Sequence, residues 1–152
     1  MNTTFAELLA REGKLIYRTR GVSMEPMLRQ DRDLVIIETP SGELKPLDTA
    51  LYRRGRQYVL HRVIRVKDDC YLIRGDNTYT METVPKSDVI GVLTGFQRKG
   101  KQYDANMRAY RCYARFWNFI YPLRYGLRIC RRAAGKAARK LGFLPLIRKI
   151  VK

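Results

Sequence analysis

One serine, one histidine and a Gly-Asp turn are the residues of this chain whose types and spacing could do chemistry together. Ser23 lies in Gly21-Val-Ser-Met-Glu-Pro-Met-Leu28. A serine hydroxyl attacks a carbonyl only when a nearby base takes its proton. It must also stand where backbone comes close to a substrate, and a glycine ahead of it with a proline behind it fix such a turn. Taken alone the segment is one turn among several. His61, the single histidine, lies in Tyr58-Val-Leu-His-Arg-Val-Ile-Arg65. Its apolar neighbours predict a strand, which would hold the ring in place. An imidazole with an unperturbed pKa of about 6.5 exchanges protons with an alcohol near neutrality. On its own it reads equally as a hydrogen-bonded histidine at a sheet surface. The third segment, Tyr71-Leu-Ile-Arg-Gly-Asp-Asn77, ends in the tight turn Gly75-Asp76-Asn77. An acid there could orient His61 and stabilise its charged form.

Together and in this order, the three segments resemble the signal peptidase family. Ser-Met-x-Pro-x-Leu is followed by His-Arg-Val-Ile and then Arg-Gly-Asp-Asn, and the likeness covers Thr19 to Gly95. It is to the branch that pairs serine with histidine. The other branch, and the LexA-type self-cleaving repressors, carry a lysine where His61 stands, and Lys67 and Lys86 lie outside that motif. The resemblance implies a serine endopeptidase that cleaves a precursor protein or peptide, with no cofactor and no metal. It implies Ser23 as nucleophile and His61 as general base. For the third group it leaves two acids: Asp76, which matches the box and is preferred, and Glu82, which follows Thr80-Met81. Gly21 stands where family members often carry a serine, so backbone N–H groups near Ser23 would meet the oxyanion. Such enzymes bind an extended peptide along a sheet edge. Gly21 and Met24 are the expected substrate-binding positions, with Met24 and Met27 also readable as core. Two further readings stay open. One is a catalytically inactive peptide-binding module docked to a membrane. The other is a LexA-like regulator, against which stand the missing lysine and the lack of an N-terminal helix-turn-helix.

These residues need elements to position them. Thr4 to Ile16 reads as a short helix, with Phe5, Leu8, Leu9 and Ile16 on one face. Asp33 to Glu38, Ala50 to Arg53, Gln57 to Val66, Cys70 to Arg74 and Val89 to Arg98 read as strands, with Lys67-Asp68-Asp69 as a hairpin turn. Short strands with frequent turns predict a mainly β fold: a small coiled sheet or partial barrel. After Asp104 the pattern turns helical, with Tyr110, Tyr113, Trp117 and Ile120 at spacings of three and four, and Pro122 breaking or kinking the run. A second stretch, Cys130 to Leu141, puts Ala134, Ala137, Ala138 and Leu141 on one side. Gly142 and Pro145 interrupt it, and Leu146, Ile147, Ile150 and Val151 then alternate with basic residues.

Charge divides the chain in the same place. The 152 residues carry 31 Lys and Arg against 14 Asp and Glu, a formal net charge of +17. Thirteen of the basic residues and none of the acidic ones fall in Met107 to Lys152, which leaves 18 against 14 ahead of that point. The expected organisation is a peptidase-like domain over 1–106 and a basic amphipathic helical extension over 107–152. Such a balance points to an anionic partner. A lipid surface ranks first for the extension, core packing second, and nucleic acid is an unlikely third. No apolar run approaches the roughly 20 residues of a spanning helix, and the N-terminus lacks a secretory signal's basic-then-apolar order. The three cysteines have no metal-ligand spacing and suggest no disulfide framework. A cytoplasmic chain, peripherally associated with a membrane, is the expectation.

Overall fold

The computed structural model describes residues 4–140. Helix α1 (Phe5–Glu12) opens the fold. Thr4 caps it: its hydroxyl accepts from the Glu7 N–H at 3.3 Å, and the Glu7 carboxylate accepts from the Thr4 N–H at 2.8 Å. Gly13, at φ +67°, ends it. The chain then enters strand β1 (Lys14–Arg18), so the helix expected through Ile16 stops four residues early. Leu15 is buried and Ile16 exposed, an alternation of period two that the helical spacing of Ile16 had masked.

Seven more strands follow: β2 (Leu34–Glu38), β3 (Thr49–Arg54), β4 (Gln57–Val66), β5 (Cys70–Arg74), β6 (Glu82–Pro85), β7 (Val89–Arg98) and β8 (Lys101–Asp104). They form one antiparallel sheet in the order β1-β2-β7-β3-β4-β5-β6, with β8 also paired to β7. Register shifts at Ile36/Ile37, Leu51/Tyr52 and Val63/Arg65 interrupt the ladder. Bulges of this kind raise local twist, and the sheet is curled into a half-barrel. The mainly β expectation holds. β1, β6 and β8 are the strands it lacked.

Each face of the sheet has its own apolar cluster. One gathers Leu9, Leu15, Met24, Leu28, Val35, Ile37, Leu51 and Leu60 with Phe96 and Tyr110. The other gathers Ala50, Tyr52, Val63, Tyr71, Ile73 and Val84. Strand β4 serves both, because neighbouring residues point to opposite faces: Leu60 packs in the first cluster and Val63 in the second.

Helix α2 (Arg108–Phe119) buries Tyr110 and Ala114. Helix α3 spans Tyr121–Lys140, with Pro122 at its second position, where a missing N–H costs nothing. The chain divides into two compact units, one running to Phe116 and the next beginning at Trp117. The first unit thus reaches ten residues beyond 106, because the start of α2 belongs to the sheet's packing. Leu141, Gly142, Pro145 and the apolar–basic alternation after them lie outside the described residues. Among the described residues no helix is long and apolar enough to cross a membrane.

Candidate active site

Three segments from distant parts of the first unit meet at Gly75. A Cβ built on this glycine would stand 2.7 Å from the Ser23 carbonyl oxygen and 3.0 Å from His61 Nε2. Only a residue without a side chain lets these backbones come so close. The turn after Gly75 also carries the serine segment: the Asn77 N–H donates to the Ser23 carbonyl at 2.8 Å, and the Asn77 amide donates to the Val22 carbonyl at 3.2 Å. Thr78 closes the turn, accepting from the Gly75 N–H at 3.0 Å. On the other flank of Ser23 the Glu25–Pro26 peptide bond is cis.

His61 is 4 % exposed, and its ring has a different partner at each end. Nε2 faces the Gly75–Ser23 junction. Nδ1 lies 3.2 Å from the Tyr52 hydroxyl and 3.5 Å from Glu82 Oε1. The Tyr52 hydroxyl donates its proton to Glu82 Oε2 at 2.9 Å. Its oxygen is then an acceptor for an Nδ1–H, which leaves Nε2 as the bare, basic nitrogen. Burial, reinforced by the Glu82 hydrogen bond, pushes the Tyr52 phenol above its ordinary range, so it stays a donor. Arg54 holds Glu82 in turn, donating to both carboxylate oxygens at 3.1 and 3.2 Å. Burial lowers the His61 pKa below the usual 6.5; Glu82 and Asp76 pull it back up, and Arg54 adds to the lowering.

Sheet register explains how these groups meet. Ala50 pairs with His61, so Tyr52 is a diagonal neighbour of His61 on the same face. Val63 pairs with Ile73, and Ile73 with Glu82, which carries that face across to β6.

Asp76, the acid preferred from the sequence, goes elsewhere. It forms a two-pronged pair with Arg62, Nε to Oδ1 and Nη2 to Oδ2, both at 2.7 Å. Arg62 follows His61 directly and therefore points to the opposite face. It also donates to the Leu47 carbonyl at 2.9 Å, to the Tyr110 hydroxyl at 3.2 Å and to the Met27 sulfur at 3.5 Å. Tyr113 donates to Asp76 at 3.2 Å. The acid beside the His61 ring is Glu82, the alternative candidate, while Asp76 clamps the Gly75-Asp76-Asn77 turn to the strand that carries His61. Tyr52, Arg54 and Arg62 were missed as parts of this arrangement. The alternation of β3 and β4 was the available signal, since it sets His61 and Arg62 on different faces.

A cleft of about 1330 Å³ opens beside the pair, lined by Tyr17 to Gly21, Ser23 and Met24 from one segment and by Arg54, Gln57 to His61 and Glu82 from the sheet. Both groups offer backbone. β1 stands at one end of the sheet order, and β4 pairs with β5 only from Arg62 onward. The two expected substrate-binding residues, Gly21 and Met24, both line this cleft. Met24 is also buried in the first cluster, and Met27 is buried there under Arg62. Gly21 has φ +84°, a left-handed conformation that a serine would adopt only with strain. Its N–H already donates to the Gln30 side chain at 3.0 Å.

Searches against protein-family models and curated proteins return no match for this sequence.

Proposed function

We propose that the protein is a serine endopeptidase of the signal-peptidase type, acting on an extended segment of a precursor protein or peptide. The observation that carries this reading is the junction at Gly75, where the Ser23 main chain and His61 Nε2 approach one point. Ser23 Oγ adds to the scissile carbonyl and His61 Nε2 takes its proton. The imidazolium so formed has an acceptor at Nδ1 in the Tyr52 oxygen and a negative charge behind it in Glu82. His61 returns the proton to the leaving amine, and water then cleaves the acyl-enzyme by the same route in reverse. The substrate lies in the cleft as an extra strand between the open edges of β1 and β4.

A peptide bearing a serine-reactive phosphonate tests this reading. Wild type is expected to be labelled on Ser23, and His61→Ala to be labelled at least a hundredfold more slowly. Equal labelling of both, or no labelling of a wild type that still binds the peptide, would replace the enzyme with the peptide-binding module.

A further inference from the structure

We propose that α3 docks the protein on the surface of an anionic lipid bilayer, its axis in the plane of the headgroups. The twenty residues of α3 contain seven Arg and Lys and no acid. Arg124, Arg128, Arg132 and Lys136 follow each other at intervals of four. On a helix such residues are neighbours, and like charges there destabilise it. Arg124 stacks on the Trp117 ring at 3.8 Å, but α3 carries no acid among its own residues to offset the repulsion along this face. An anionic surface relieves it instead.

The other face says which kind of anionic surface. Leu123, Leu127, Cys130, Ala134 and Ala137 recur at steps of four and three, the period of one helical stripe. Leu123 is 66 % exposed and Leu127 53 %, and Phe119, the last residue of α2, is 81 % exposed. Phosphates of a nucleic acid would match the cations and leave this stripe in water. A bilayer interface takes both: apolar side chains enter the acyl boundary while Arg and Lys stay among the headgroups. The stripe is thin, since past Leu127 it is made of cysteine and alanines. Its insertion is therefore shallow and depends on the charge, so neutral lipid does not suffice.

The test is sedimentation of the full chain with vesicles of phosphatidylcholine alone or mixed with phosphatidylglycerol. Binding is expected only to the mixed vesicles. Arg131→Gln/Arg132→Gln/Lys136→Gln is expected to weaken it on the order of a hundredfold. Leu123→Gln/Leu127→Gln keeps every charge and is expected to weaken it by more than about tenfold. In a Cys70→Ser/Cys112→Ser background, alkylation of Cys130 by a water-soluble maleimide is expected to slow roughly tenfold on the mixed vesicles, because the stripe faces the lipid. Three results would each overturn the proposal: equal binding to neutral vesicles, leucine variants that bind anionic vesicles as wild type does, or an unprotected Cys130 on bound protein. Tight binding of a DNA duplex that ignores the leucine substitutions, with no vesicle binding, would assign the face to nucleic acid. Ser23→Ala is expected to bind vesicles unchanged, which separates this result from the peptidase reading.

Discussion

At His61, burial and charge pull in opposite directions, and burial wins: the pKa falls below 6.5 even with Glu82 3.5 Å away. A base with a lowered pKa is already deprotonated at neutrality. Labelling of Ser23 is therefore expected to rise with pH through an inflection below about 6.5 and to be flat above it. The linkage has the same sign. The unfolded chain binds this proton more readily than the folded one, so His61 withdraws stability as pH falls from about 6.5 toward its folded pKa, and no further below that. A labelling rate that keeps climbing above neutrality would point to a different base. Glu82 gives a sharper check. Glu82→Gln keeps the shape and removes the charge, so labelling is expected to fall on the order of a hundredfold or more. The inflection should also move to lower pH, because Glu82 is the largest influence raising the His61 pKa. A merely structural Glu82 would leave that inflection where it is.

The Gly75-Asp76-Asn77 turn acts as an element, holding the serine segment against β4. Gly75→Ala puts a methyl against the Ser23 carbonyl, a backbone atom that cannot swing away. The expected outcome is a loss of labelling of roughly a hundredfold or more, from a chain whose circular dichroism still shows the sheet. Asp76→Ala acts differently. Arg62 is 1 % exposed and would be left as a buried charge without its acid. Unfolding in urea is expected to show a loss of about 3–5 kcal/mol. A loss below about 1 kcal/mol, with labelling abolished, would restore Asp76 to a catalytic role. The choice between Asp76 and Glu82 marks how far the sequence was legible. β4, β5 and β7 could be read residue for residue, because they are long or rich in Val, Ile and Tyr. β6 is four residues ending in proline, and β8 is Lys-Gln-Tyr-Asp at a sheet margin; neither has an apolar pattern. Without β6, nothing pairs Glu82 with Ile73 and so puts it on the face of His61, and the acid in the motif looks closer than it is. The serine and histidine needed no such pairing, since their segments carry their own turn and strand signals.

Over the whole molecule, the cleft is basic and so is the chain that carries it. Among the described residues, Arg18, Arg20 and Arg54 line the cleft with Asp31 and Glu82 to balance them, and Arg54 is already committed to Glu82. Arg18 donates to the Asp31 backbone carbonyl rather than to its carboxylate. The unit that carries this opening, running to Phe116, holds 21 Lys and Arg against 14 Asp and Glu, and that balance adds a positive potential around it. Charge of this kind acts on encounter, and salt screens it over a Debye length of about 8 Å at physiological ionic strength. An acidic phosphonate peptide is therefore expected to label Ser23 faster than a neutral peptide at low salt, by about tenfold or more. That advantage should shrink toward roughly twofold at physiological salt, while the neutral peptide changes little. The quantity to measure is the second-order labelling rate against ionic strength for the two peptides. Parallel salt curves would mean that the arginines around the cleft are screened or internally paired, and that selection among precursors rests on the shape of the cleft beside Met24 and Tyr58 rather than on charge. Diverging curves would make acidic flanking segments a property to look for in the natural substrate. That preference would be set by the charge of the unit around the cleft, since Ser23, His61 and Glu82 are indifferent to a peptide's distant charges.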